Sequence, residues 1–287
     1  MRMLVTGGSG FLGRAVLPEL SRRGHDVVAM VRSNAGASKV TPLGARVVYG
    51  DLDDARSLDV AFDEAKADVL ANLASLGFGH APAIIAAGEE AGIARALFVS
   101  TTAIFTSLPV ESRSMRMAAE ETIKQSAMEW TIIRPTMIYG GPGDRNMERV
   151  LAFLRRSPVV PLPGGGDRLL QPVHVGDLAE FVVTLLEGGP TGACYNVAGP
   201  VALSLRQVVQ QAASAMTRRP IVVSVPLRPV VDLVRVYEHI SAHPRLKVEQ
   251  VLRLNEDKVF DISAAVTLGY SPRPFAEGIA SEARLLS

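Results

Sequence analysis

The chain has 287 residues, 48% of them hydrophobic and 21% charged, with a formal net charge of +1; that is ample for one large domain, or for one domain with an appended lobe. The near-neutral balance argues against nucleic acid or an acidic membrane surface as a partner, and no run of ~20 apolar residues is present to span a bilayer. Cys194 is the only cysteine, which excludes an internal disulfide and a cysteine-based zinc site. The first residues lead straight into a strand and do not read as a signal peptide, so a soluble cytoplasmic protein is expected.

Met1 to Val5 read as a short buried strand. Gly7, Gly10 and Gly13 follow at the spacing G-x-x-G-x-x-G, and an amphipathic run from Phe11 to Leu20 begins a helix. Glycines at a strand-to-helix turn let the backbone approach a pyrophosphate closely, and the helix N-terminus offers free N–H groups and a positive dipole end. Three glycines alone are a weak signal; the strand before and the helix after are the context the motif requires. The stretch Gly7, Gly10, Phe11, Leu12, Gly13 and Arg14 therefore reads as a dinucleotide site.

His25 to Val31 form the second strand, ended by Arg32 and Ser33. NAD-binding folds carry an Asp or Glu here, which accepts from the ribose 2′-hydroxyl. Arg32 instead suits a 2′-phosphate, with Arg14 as a second contributor and no carboxylate alongside. This favours NADP over NAD, the alternative being two solvated surface arginines. Arg46 to Tyr49 form the third strand, followed by Gly50, Asp51 and Leu52. Asp51 either accepts from the adenine amino group or, like Asp53, caps the helix from Arg56 to Phe62. Asp68 to Leu73 form the fourth strand, and the small residues Ala74 and Ser75 behind Leu73 let the chain pass close to a cofactor. A helix from Ala81 to Ala91 ends at Gly92, and a fifth strand, Ala96 to Ser100, breaks into Ser100-Thr101-Thr102. Strands alternating with helices at this spacing predict βαβ units and a parallel sheet, with ligands at the edge formed by the strand C-termini.

Thr6-Gly-Gly-Ser-Gly-Phe-Leu-Gly13, Gly50-Asp51, Asn72-Leu-Ala-Ser75, Ser100-Thr-Thr102 and Trp130-Thr-Ile-Ile-Arg-Pro-Thr-Met-Ile-Tyr-Gly140 occur in order. Together with Pro172–Ala179 and Leu268–Phe275 they resemble the extended branch of the short-chain dehydrogenase/reductase superfamily, the NAD-dependent epimerase/dehydratase type. The resemblance implies a doubly wound Rossmann sheet with a smaller C-terminal α/β substrate lobe, a nicotinamide cofactor and a small-molecule substrate. It leaves the substrate open.

That family reacts through a Ser/Thr and a Tyr-x-x-x-Lys pair, and here the chain departs. None of its five tyrosines has Lys or Arg four residues later. Aligned on the Ala-Ala-Glu ending of Ser112–Glu120, Ser112 stands at the Tyr position and Arg116 at the Lys position. A serine hydroxyl cannot be tuned towards neutrality as a tyrosine can, and a guanidinium is no proton donor. By resemblance Thr102 hydrogen-bonds a substrate oxygen, Arg116 binds the cofactor ribose, Ser100 lies on the cofactor and Pro135 flanks the nicotinamide. Departures of this kind resemble atypical superfamily members, some catalytic through other acids, some only nucleotide-binding subunits or sensors.

A helix around Met117 to Ala127 leads to the sixth strand, Trp130 to Arg134. The Gly/Pro-rich loop Tyr139–Asn146 leaves the ligand edge, and Tyr139, Asp144 and Arg145 are its polar groups best placed to face a substrate; alternatively Asp144 caps the helix Met147 to Arg155 with Arg145 in solvent. Pro161 to Arg168 read as a second turn-rich loop. His174, in an apolar run, reads as a hydrogen-bonded structural residue, and Cys194, in the buried strand Ala193 to Val197, as core. Ser204-Leu-Arg-Gln207 is a capping box opening a helix to Met216, before a strand at Ile221 to Val225 and helices across Val230 to Leu254 and Pro274 to Leu285. His239 and His243 are four apart but lack the zinc-protease order, and no metal is expected. Residues 1–140 with 171–198 thus read as the NAD(P)-binding domain, and 141–170 with 199–287 as the substrate lobe. The expected function is NADP(H)-dependent oxidoreductase, epimerase or dehydratase chemistry on a small hydroxy- or keto-substrate. The alternative is a non-catalytic NADP(H)-binding redox sensor or assembly subunit. Oligomeric state is not readable from the sequence.

Overall fold

The structure, a computed structural model, describes residues 1–108, 110–144, 146–241 and 248–285. Its first part alternates strands and helices: β1 (Arg2–Thr6), α1 (Gly13–Arg22), β2 (Asp26–Val31), α2 (Asn34–Val40), β3 (Arg46–Tyr49), α3 (Ala55–Ala65), β4 (Val69–Asn72), α4 (Ala81–Glu90), β5 (Arg95–Val99), α5 (Glu111–Lys124) and β6 (Glu129–Pro135). There follow β7 (Ile138–Tyr139), α6 (Met147–Arg156), β8 (Val159–Pro163), β9 (Leu169–Leu170), β10 (Val173–His174), α7 (Val175–Gly188) and β11 (Ala193–Val197). The chain continues through β12 (Leu203–Ser204), α8 (Leu205–Ala215), β13 (Ile221–Val225), α9 (Leu227–Ile240), α10 (Val248–Arg253), α11 (Ser263–Thr267) and α12 (Phe275–Leu285).

The main sheet has seven strands in the order β11-β6-β5-β4-β1-β2-β3, every neighbouring pair parallel. Parallel strands joined by helical crossovers are covered on both faces, which is why β1 is apolar at successive positions rather than alternating with polar ones. Met3 and Val5 pack with Leu17 of α1 and Leu178 and Val182 of α7. Leu4, facing the other way, packs with Phe62 of α3, Ile84 of α4 and Ile123 of α5. The order reverses between β1 and β4, the switch point at which such sheets open a crevice outside their strand ends.

A separate core forms beyond the sheet, where Leu151 and Leu154 of α6, Val208 of α8, and Phe275 and Ile279 of α12 meet Val160 and Leu162 of β8. β8 pairs in parallel with β13. The capping box opens α8 as expected, with the Ser204 hydroxyl accepting from Gln207 N–H and the Gln207 side chain accepting in return from Ser204 N–H.

One helix is additional to those expected, and two local expectations are corrected. A helix, α2, follows β2 directly because Ser33 caps it, accepting from Gly36 N–H. Neither Asp51 nor Asp53 caps α3; Asp54 does, accepting from Arg56 and Ser57 N–H. Part of the expected loop at 161–168 is strand β8, since Pro161 and Pro163 sit in a two-stranded ribbon where missing donors are tolerated.

Candidate functional site

The glycine turn after β1 is shaped by close backbone approaches. Gly7 adopts φ +71°, and a Cβ there would lie 2.6 Å from the backbone nitrogen of Ala74, in the loop after β4. A Cβ at Gly13 would fall on the Gly7 and Gly8 carbonyls, so only glycine lets α1 start flush against the turn. No side chain caps α1 and no acid stands in its first turn. Within it the Arg14 N–H donates to the Gly10 carbonyl and the Ala15 and Val16 N–H groups to that of Leu12, so what the helix start offers an anion is its positive dipole end and the turn before it. Thr6 at the end of β1 donates to Asn72 Oδ1 at 2.5 Å, tying the two strands at the switch point.

A cleft of about 1580 Å³ runs along the strand ends. Small-molecule pockets occupy about 300–1,000 Å³, so this one has room for a dinucleotide and a second molecule. At one end Gly10, Phe11 and Arg14 line it, with Lys39 of α2. Arg32 is exposed at the end of β2 and makes no hydrogen bond or ion pair among the described residues. Lys39 carries no signal in the sequence, since no pattern there marks its helix. Arg14 is used differently from expectation. Its Nη2 donates to the Pro142 carbonyl at 2.8 Å, clasping the glycine turn to the 141–143 loop instead of standing free for a phosphate.

The remaining expected cofactor residues surround rather than line this end. Leu12 is buried in the core, with Leu73 packed against it. Asp51 is half-buried and accepts from Asp53 N–H at 3.2 Å, and Leu52 packs on the opposite core face. Ser75 caps a short turn by accepting from Gly77 N–H, next to half-buried Ala74.

Behind β5 the structure corrects Ser100. Its hydroxyl donates to Glu120 Oε1 at 2.6 Å, inside the protein, rather than facing a cofactor. Glu120, 3% exposed, is gripped in turn by Arg134 on β6, whose Nε donates to both carboxylate oxygens at 3.0 and 3.1 Å. The guanidinium carbon also lies 5.4 Å from the Phe105 ring centre. The sequence reading used Glu120 only to align its segment. Thr102 does line the cleft; its hydroxyl donates to the Pro135 carbonyl at 3.3 Å and retains acceptor capacity for a ligand. Arg116 does not line it. Its Nη1 donates to the Ser112 carbonyl, and its guanidinium lies over Gly77, where a Cβ would meet Nη2 at 3.1 Å.

The loop after β7 also differs from expectation. Tyr139 is fully buried in the lobe core. Its hydroxyl donates to the Phe275 carbonyl and its ring packs edge-on to His174. Burial, followed by the charge of Asp177, pushes its pKa above the ordinary tyrosine range, so Tyr139 is neither exposed to a substrate nor a usable acid. His174 caps α7, its Nδ1 accepting from Gly176 N–H at 3.1 Å. Asp144 touches the cleft wall, but its carboxylate turns inward, accepting from Asn146 N–H at 2.6 Å, Met147 N–H at 3.2 Å and Gly140 N–H at 3.3 Å. It anchors the start of α6 and is not a substrate contact. Glu282 of α12 is buried beside it; burial and the neighbouring Asp144 push Glu282 up to about 8. Arg145 and His243 lie outside the described residues.

At its other end the cleft is walled by Phe105, Thr106, Arg253, Leu254, Lys258 and Phe260. Phe105 and Phe260 pack with ring centres 5.6 Å apart. Glu256 ties the two walls together, accepting from the Thr106 hydroxyl at 2.5 Å and from the Ser107 amide and hydroxyl at 2.9 and 2.6 Å. Burial would raise Glu256, but these bonds hold it below its usual value.

A parallel sheet in the order β3-β2-β1-β4-β5-β6, a glycine turn against an uncapped helix and a cleft along the strand ends define a Rossmann-type dinucleotide-binding protein. The NAD(P)H-binding family profile matches residues 7–189, well over half of the chain, and the chain belongs to that family. It is 29% identical over 238 residues to 4-hydroxy-2-methyl-3-oxo-4-farnesyl-3,4-dihydroquinoline-1-oxide ketoreductase of Stigmatella aurantiaca, covering 72% of this chain and 70% of that protein. It is 30% identical over 225 residues to the mitochondrial NADH dehydrogenase [ubiquinone] 1 alpha subcomplex subunit 9 of Arabidopsis thaliana, covering 72% of this chain and 56% of that one. Thermus thermophilus UDP-glucose 4-epimerase, solved in complex with NAD, superposes with a TM-score of 0.76 at 23% identity, over 99% of this chain and 98% of that one. The fold is that of the NAD-dependent epimerase/dehydratase group. Among the described residues no helix is long and apolar enough to cross a membrane.

Proposed function

We propose that this protein is an NADP(H)-dependent reductase of a small carbonyl compound that works without the Tyr-x-x-x-Lys pair. The observation that carries the reading is the cleft itself, large enough for dinucleotide and substrate and lined by Thr102. The ketoreductase relative is consistent with it. When bound, the nicotinamide supplies the hydride. The chain supplies the glycine turn and the α1 N-terminus for the pyrophosphate, and Thr102 as an orienting hydroxyl. Arg32 and Lys39 serve the 2′-phosphate, both cationic and with no carboxylate at the end of β2 to hold a 2′-hydroxyl. Residues 1–140 with 171–198 form the cofactor domain in this reading, and 141–170 with 199–287 the substrate lobe.

A second reading, a non-catalytic nucleotide-binding subunit, is favoured by the missing pair, by the burial of Tyr139 and by similarity to a subunit of a mitochondrial NADH dehydrogenase. The two separate on one experiment. Purified protein is given NADPH and a panel of aliphatic and aromatic ketones, and loss of reduced-nicotinamide absorbance is followed. Ketone-dependent oxidation supports the reductase; tight NADPH binding with no oxidation across the panel supports the subunit.

A further inference from the structure

The far end of the cleft has a charge arrangement that the cofactor does not use. Lys258 lines it and is half-buried. Its main-chain N–H donates to the Leu169 carbonyl, which fixes the backbone, but its ammonium makes no hydrogen bond among the described residues. Arg253 lines the same end. One edge of its guanidinium pairs with Glu249 at 2.5 Å, while its Nε is buried with no hydrogen-bond partner. Unpartnered cationic donors in a partly desolvated place are costly, and are retained where a ligand completes them. Burial and then the positive charge of Arg253 lower the Lys258 ammonium from its usual value, and the same two causes act on Arg116 behind it.

Charge balance indicates what is missing. Arg116, Arg253 and Lys258 face Glu249 and Glu256, and Asp257 on the same wall is paired with Arg168 at 3.4 Å, four cations against three carboxylates. One positive charge is left over, which suits a monoanion better than a dianionic phosphate. The surface beside it is apolar: Phe105, 51% exposed, Phe260 and Leu254. We propose that this end of the cleft is a carboxylate subsite, in which Lys258 and Arg253 hold the acid group of an aliphatic or aromatic keto acid whose body lies on Phe105 and Phe260. Thr102, which lines the same cleft, then faces the carbonyl region. The inference names the substrate class for the reductase reading and rests on that reading for the cleft's second occupant.

The test uses a probe that cannot react. Decanoate and methyl decanoate are titrated by calorimetry into the full-length protein saturated with NADPH. A charge-assisted contact distinguishes the two by about ten- to a hundredfold in Kd, so decanoate should bind that much more tightly than its ester. Lys258→Met should bring the ratio close to one, Lys258→Arg should keep it, and Arg253→Gln should reduce it; Lys258→Gln replaces the Met variant if that one melts early. Equal wild-type affinities, or an acid preference that survives Lys258→Met, overturn the subsite. Keto-decanoic acids and their methyl esters are then assayed for NADPH oxidation. Acid-selective binding with no ketone reduced would keep the subsite and end the reductase reading. Reduction without acid preference would end the subsite and keep the reductase.

Discussion

The two ends of the cleft are built on opposite plans. The cofactor end is made of backbone: a positive-φ glycine, a helix start with no side-chain cap, and strand ends at the switch point, all within the first 75 residues apart from the Arg14 clasp to Pro142. The far end is made of side chains from distant parts of the chain, Thr106 and Ser107 on one wall held by Glu256 on the other. A backbone site demands particular residues at fixed spacing and leaves a motif. A side-chain site demands only that folding bring the groups together.

The largest expected effect lies in the Ser100–Glu120–Arg134 network between β5, α5 and β6. Glu120→Gln leaves Arg134 without its counter-charge in a buried place, and breaking such a pair costs ~3–5 kcal/mol. Denaturant unfolding should show that loss; a change under ~1 kcal/mol would mean the network does not brace the strands.

Next comes the glycine turn. Gly7→Ala combines a positive φ with a clash against Ala74, a strain of ~1–3 kcal/mol. NADPH affinity should fall at least about tenfold, while Ser75→Ala, which alters only a short turn, should leave it nearly unchanged. Equal losses in the two variants would break the claim that backbone approach, rather than side chains, makes this end.

The Asp144–Glu282 contact gives a pH effect. Glu282 is raised in the folded state to about 8, from an ordinary value of 4.5, so the folded protein binds the extra proton between those values. Stability from this group is complete below the lower value and falls as pH rises through the upper one. Glu282→Gln, which keeps the neutral shape, should flatten the melting-temperature profile and stabilise the protein at about pH 9 by more than ~1 kcal/mol. An unchanged profile would show that the carboxyl is ionised throughout.

The smallest expected effect is at Ser112, half-buried on α5. If ketone turnover is found, Ser112→Ala should change it by only a few-fold, whereas losing a general acid costs ~10²–10⁴. A thousandfold loss with NADPH binding intact would restore Ser112 to the chemistry.

The sheet, most of its helices and the glycine turn were legible because period and spacing encode them, and so was the Ser204 capping box; α2 was not. The polar residues of the 139–146 loop were misread for one reason: an aromatic hydroxyl and a carboxylate look functional in sequence, but Tyr139 satisfies its hydroxyl on the Phe275 carbonyl and Asp144 satisfies its oxygens on three backbone N–H groups. Both partners depend on how the loop packs. Glu282 left a faint trace, a carboxyl on the same stripe of α12 as Phe275, Gly278 and Ile279, all buried. Lys258 and Arg253 left none, since nothing in their own segment indicates that they share a cleft with Thr102.

The central claim is that the cofactor end takes the phosphorylated dinucleotide. NADPH and NADH are titrated against wild type, Arg32→Ala and Lys39→Ala. The account predicts that the wild type binds NADPH about ten- to a hundredfold more tightly than NADH, and that each substitution weakens NADPH while leaving NADH nearly unchanged. Equal affinities in the wild type, or parallel losses of both cofactors in Arg32→Ala, would contradict it.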